Sequence, residues 1–159
     1  MESGPKWLPA PLCYADYDGD WNRFLAVVYS VFYRDFRQSK PLYEGHPLVY
    51  DGTFEAGKER IFWHLTSSCD RQSHERLPDL RRCECIPWPR PTVENSNDSY
   101  VSVWRNKRGR ETRVMLWLEA FDYLVVLAEK RNVFLLITGY CTDREHTREK
   151  LRKERKQCS

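Results

Sequence analysis

The chain has 159 residues, 41% of them apolar and 14% aromatic, which is enough to bury the core of one ordinary domain and excludes a disordered or low-complexity chain. No stretch approaches the ~20 apolar residues of a membrane span, and the N-terminus Met1-Glu2-Ser3-Gly4-Pro5 lacks the basic and apolar regions of a secretory leader. The expectation is a soluble cytoplasmic protein without membrane contact. Net charge is only +3, so the distribution of charge along the chain says more than its total.

Residues 1–17 read as a Pro- and Tyr-rich arm lying over a single α+β domain at 18–159. A helix is expected from Asp20, an acceptable N-cap. Trp21, Phe24, Leu25, Val28, Val31, Phe32 and Phe36 recur at steps of three and four, giving a wide apolar stripe suited to core packing. Pro41–Gly52 reads as a short irregular or strand-bearing connection, and Phe54–Trp63 as a short helix. Ser67–Pro78 reads as a polar loop. Leu80–Ile86 forms one or two helical turns, stopped by Pro87-Trp88-Pro89-Arg90-Pro91, where proline favours extended backbone.

From Tyr100 onward the period changes to two. Val101 and Val103, then Val114, Leu116 and Leu118, then Tyr123, Val125 and Leu127, then Val133, Leu135 and Ile137 alternate with other side chains. Short connections at Arg105–Arg110, Glu119-Ala120 and Glu129–Asn132 join them into a four-stranded antiparallel meander, on which the N-terminal helices pack. A basic helix from about Asp143 to Lys156 ends the chain. Its one large apolar residue, Leu151, argues against a core helix. Arg144, Arg148, Arg152 and Lys156 lie four apart on one face, and Arg105, Lys107, Arg108 and Arg110 make a second basic cluster. Together they form an electrostatic footprint suited to nucleic acid, though the same face also reads as a solvated, salt-bridged surface.

The six cysteines read as reduced thiols in a cytoplasmic chain, and Cys83-x-Cys85 lacks a second Cys/His pair at zinc spacing. No metal site and no cofactor is expected. His64 stands in the string Phe62-Trp63-His64-Leu65-Thr66 and is the candidate general acid/base, weighed against a satisfied core or rim histidine. Gly139 breaks the last strand within Thr138-Gly139-Tyr140-Cys141-Thr142 and suggests a bulge or a close backbone approach. Thr138 and Tyr140 there read either as surface decoration of a strand end or, in a sheet that opens onto a nucleic-acid cleft, as groups that hold a phosphate or a base, while Arg110 and Arg113 are carried toward the same sheet.

The order of these segments resembles the phage- and plasmid-associated branch of the barnase–EndoU–colicin–RelE superfamily of small RNases. The likeness runs over roughly residues 52–156: an aromatic-Trp-His-Leu-Thr string, a basic turn, a meander, Leu136-Ile137-Thr138-Gly139-Tyr140, and a basic final helix. It implies a metal-independent endoribonuclease, a toxin or growth regulator that cleaves RNA through its own 2′-hydroxyl, with an antitoxin or immunity protein as partner. Carried over, His64 is the acid/base, Arg110 or Arg113 the phosphate clamp, and Thr138 and Tyr140 the strand-end polar pair; Glu59, Arg60 and Thr66 are lesser candidates. No glutamate is evidently paired with His64. The alternative is a non-catalytic RNA- or protein-binding module that uses the same basic surfaces.

Overall fold

The computed structural model describes residues 3–158; Met1, Glu2 and Ser159, which the expected arm and domain include, lie outside them. The arm is stitched down by hydrogen bonds. The Leu12 amide donates to the Glu84 carbonyl (2.8 Å), and the Trp88 indole donates to the Pro9 carbonyl (2.8 Å). Helix α1 spans Trp21–Phe32, and the Asp20 carboxylate caps it by accepting from the Arg23 amide (3.1 Å). Its apolar stripe is real: Phe24, Val28, Val31 and Phe32 are buried.

Strands β1 (Leu42–Tyr43) and β2 (His46–Val49) form a hairpin. The expected helix over Phe54–Trp63 is corrected. Strands β3 (Phe54–Glu55) and β4 (Lys58–Glu59) form a second hairpin, and helix α2 begins only at Arg60 and ends at Thr66. The reason is the two-residue turn Ala56-Gly57, with φ of 48° and 83°. Positive φ at both central positions matches the twist of paired strands and cannot sit inside a helix. The expected loop at Ser67–Pro78 contains a third hairpin, β5 (Ser67–Cys69) with β6 (Arg76–Pro78).

Helix α3 covers Leu80–Glu84, with Asp79 as its cap. The proline-rich run expected to be extended instead opens helix α4, Pro89–Glu94. Proline costs nothing in a first helical turn, because those amides have no intrahelical acceptor.

Strands β7 (Ser102–Arg108), β8 (Glu111–Leu118), β9 (Tyr123–Lys130) and β10 (Val133–Cys141) pair antiparallel in succession. The expected four-stranded antiparallel sheet is nevertheless corrected. The sheet has six strands in the order β1-β2-β10-β9-β8-β7 and is mixed, because β2 joins β10 in parallel through Leu48 and Val49. That pairing occupies only Phe134 and Leu135 of β10. Farther along, the register shifts between Leu136 and Thr138, and α2 packs against this part of the strand.

One face of the sheet presents Val114, Leu116, Tyr123, Val125, Leu127 and Leu136 to the N-terminal helices. The other presents Trp104, Met115, Trp117, Leu124 and Val126, and here helix α5 (Glu145–Cys158) lies down with Leu151 buried. The basic helix therefore does contribute to a core, through one leucine worth roughly 1.5–3 kcal/mol of burial and a set of ion pairs.

Candidate functional site

Helix α2 is positioned by Ile61, Phe62 and Leu65, all buried in the larger core, which leaves His64 half-buried at its side. Thr66 is buried too, and its hydroxyl donates to the Phe62 carbonyl (2.8 Å). The last carbonyls of a helix have no intrahelical donor and must find one elsewhere. Here the donors are a hydroxyl and two arginines. The His64 carbonyl accepts from Thr138 Oγ1 (3.0 Å) and from Arg82 Nη1 (3.0 Å). The Ser67 carbonyl accepts from Arg82 Nη1 (2.7 Å) and Arg76 Nη2 (2.9 Å), and Ser67 Oγ accepts from Arg76 Nε (3.0 Å).

Two guanidiniums thus converge on one backbone oxygen. Neutral carbonyls orient them without cancelling their charge. Among the described residues Arg76 makes no ion pair, and Arg82 reaches a carboxylate only at 3.7 Å, that of Asp79. The crowding shows in both neighbours. Burial, and then the Arg82 charge, hold Arg76 below the usual guanidinium range. Burial, and then the Arg76 charge, push His64 below the ordinary imidazole value, against a smaller upward pull from Glu55. His64 is consequently neutral around neutral pH, the form that accepts a proton.

Arg82 also lies over the Tyr140 ring, with its guanidinium carbon 5.5 Å from the centroid. Tyr140 sits between two adjoining hollows. One, of about 750 Å³, is edged by Ser68, Arg71, Arg81, Arg82, Cys141 and Arg144. The other, of about 260 Å³, is edged by Arg71, Arg108, His146, Lys150 and Glu154. Burial and the nearby Glu154 raise the Tyr140 phenol, which keeps it protonated and able to donate. At the end of β10 the Cys85 thiol donates to Cys141 and lowers it. All six cysteines are unpaired, and among the described residues no group of three or more His, Cys, Asp or Glu side chains is arranged to hold a metal ion.

The structure places Thr138 against the His64 backbone and not its imidazole, and Arg82, which donates to the same carbonyl, lies over Tyr140, whose ring packs on the α5 side of the sheet. Arg110 and Arg113 are elsewhere. Arg110 is exposed beside Gly109 in the β7–β8 turn, and Arg113 is bound to Glu111 (2.9 Å). Glu59 points into the core beneath α1, where Tyr29 donates to it (2.6 Å) and Arg37 lies 3.8 Å away. Arg60 is engaged by Glu55 (3.0 Å) and Asp51 (3.6 Å).

Of the basic clusters, Arg105 pairs with Glu44 (2.8 Å) and Glu129 (3.3 Å), while Arg108 lies 3.8 Å from Glu154. Lys107 is exposed on β7, and Lys156 is exposed in the last turn of α5. Arg148 is bound by Asp122 and by the Glu119 carbonyl, and Arg152 by Glu119 (2.9 Å) and Glu145 (3.2 Å). Only Arg144 of that stripe edges the larger hollow.

Sequence reasoning missed Arg76 and Arg82. Arg82 had an available signal: it follows the Asp79 cap by three residues, so it belongs to the first turns of a helix. Arg76 had none, because its role comes from the β5–β6 pairing. No known family matches the chain, and no curated protein or solved structure is significantly similar to it.

Proposed function

We propose that the chain is a metal-independent endoribonuclease that cleaves RNA by attack of the 2′-hydroxyl on the adjacent phosphate. The observation that carries this reading is the convergence of Arg76 and Arg82 on the Ser67 carbonyl, immediately after the helix that bears His64. Cations fixed by backbone hydrogen bonds are preorganised, so they need not rearrange as charge builds on the phosphorane oxygens. Neutral His64 takes the 2′ proton. The 2′-oxygen bonds to phosphorus, the bond to the 5′-oxygen breaks, and that oxygen takes a proton from the Tyr140 hydroxyl, which burial holds in its protonated form. The products are a 2′,3′-cyclic phosphate and a 5′-hydroxyl. Thr138 acts through position, holding the His64 backbone against β10.

A second reading has its own support. Among the described residues no side chain hydrogen-bonds the His64 imidazole to fix its tautomer, as a binding module without catalysis would allow. Pure protein incubated with a structured RNA in EDTA separates the two. Fragments ending in 2′,3′-cyclic phosphate are expected. Binding without fragments, or fragments that require Mg²⁺, contradicts the ribonuclease reading.

A further inference from the structure

Against Trp63, the residue before His64 on α2, lies a cavity of about 350 Å³. Trp21 and Leu25 of α1, Trp63 of α2, Ala56 of the β3–β4 turn and Pro78 of β6 make its apolar walls. The Trp63 indole is fixed in place: Nε1 donates to the Glu55 carbonyl (2.6 Å), and the ring packs edge-on against Phe62 at 5.1 Å. A rigid aromatic wall loses little freedom on binding, which favours a flat partner. Ala56 sits at positive φ in a tight turn, so the hairpin places a small side chain at the wall.

The polar groups are few and asymmetric. The hydroxyls of Thr66 and Ser67 already donate to the Phe62 and Trp63 carbonyls, and the Glu55 carboxylate pairs with Arg60. What remains is Arg76, which among the described residues makes no ion pair and whose charge also acts on His64. The cavity is therefore an apolar, aromatic slot with one cation, Arg76, in its lining.

We propose that this cavity is a nucleobase subsite, in which one unpaired base stacks on Trp63 while its attached phosphate lies on Arg76. The proposal rests on the RNA reading for its ligand but not on catalysis. Every base presents a π-face, so stacking here is tolerant of sequence. A duplex cannot offer a base to the slot, so single-stranded segments are the substrate class.

Isothermal titration calorimetry of the full chain with nucleoside 3′-monophosphates, ribose 5-phosphate and hexanoate tests this. Nucleotides are expected to bind ~5- to 150-fold more tightly than ribose 5-phosphate, the range that stacking on one aromatic residue supplies. Trp63→Leu should erase the difference. Leu25→Trp, which fills the cavity while leaving Trp63 and Arg76 unsubstituted, should erase it too, in a protein whose melting temperature shows that it is folded. Arg76→Gln should weaken nucleotides and ribose 5-phosphate alike. Wild-type protein that prefers nucleotides to ribose 5-phosphate but does not cleave RNA leaves the subsite standing, so the two proposals fail separately. Equal affinity for ribose 5-phosphate and nucleotides, tighter binding of hexanoate than of nucleotides, or unchanged nucleotide affinity in folded Leu25→Trp overturns the proposal.

Discussion

Two clusters of arginine face opposite fates in this molecule. On α5, Arg148, Arg152 and Arg155 close around Glu119, with Asp122 and Glu145 alongside. Arg148 and Arg155 also lie over the Trp117 ring, at 5.6 and 5.2 Å from its centroid. Their charge is cancelled by carboxylates, and their work is to fasten a helix with one buried leucine to the sheet. On the other side of the sheet, Arg76 and Arg82 are fastened to carbonyl oxygens. Neutral acceptors hold a guanidinium less firmly than a carboxylate does but cancel less of its field, and the Asp79 carboxylate stands 3.7 Å from Arg82. The partner of an arginine, more than its place in a basic run, decides whether it is a strut or a binding group.

The comparison breaks most sharply at Arg76. Arg76→Gln leaves the Ser67 carbonyl served by Arg82, so the fold should persist, while RNA cleavage should fall ~10²–10³-fold, the usual cost of removing one preorganised charge donor. Steady-state rates alongside thermal melts check both halves. Arg148→Gln should do the reverse. Removing a half-buried cation bound by Asp122 and the Glu119 carbonyl is expected to cost about 1.5–3 kcal/mol, visible as a lower melting temperature with RNA affinity unchanged.

A third substitution tests the wall that both regions share. A Cβ at Gly139 would lie 2.5 Å from the buried Tyr123 hydroxyl oxygen, which has no hydrogen-bond partner among the described residues. Gly139→Ala should therefore destabilise by about 1–3 kcal/mol. Adding Tyr123→Phe should recover most of that in denaturant unfolding, because it removes the clashing atom and an unsatisfied group together.

The pH dependence sharpens the picture at smaller amplitude. His64 titrates below its ordinary value of ~6.5, so cleavage should be flat through neutrality and fall only in the acid range beneath that value. The stability linked to neutral His64 has the same sign: it is fully present above the ordinary imidazole value and lost as pH falls through the lowered folded one. The smallest effect is expected at Lys107 and Arg110, exposed on the β7–β8 hairpin. Replacing both with Gln should change stability by less than about 0.5 kcal/mol and leave cleavage unaltered.

Much of the frame was legible because its signals are local. The three-and-four spacing from Trp21 to Phe32 and the Asp20 cap define α1, and alternation from Val103 to Ile137 defines the four long strands. What was not legible depends on partners distant in the chain. Nothing near Leu48 announces a parallel pairing with Phe134, and the Ala56-Gly57 turn overrides a segment that otherwise reads as helix. Within the candidate site, the His64 string and the strand end around Gly139 come together, since Thr138 reaches the His64 backbone. Which arginines keep an unopposed charge could not be read, because that depends on where Glu119, Glu111 and Glu129 lie after folding.

The most direct measurement is single-turnover cleavage of a short RNA in EDTA by wild type and His64→Ala, with product ends analysed. Wild type is expected to yield 2′,3′-cyclic phosphate, and His64→Ala to be slower by ~10²–10⁴-fold while melting within ~2–4 °C of wild type. A folded His64→Ala protein that cleaves at the wild-type rate would contradict the assignment of this site.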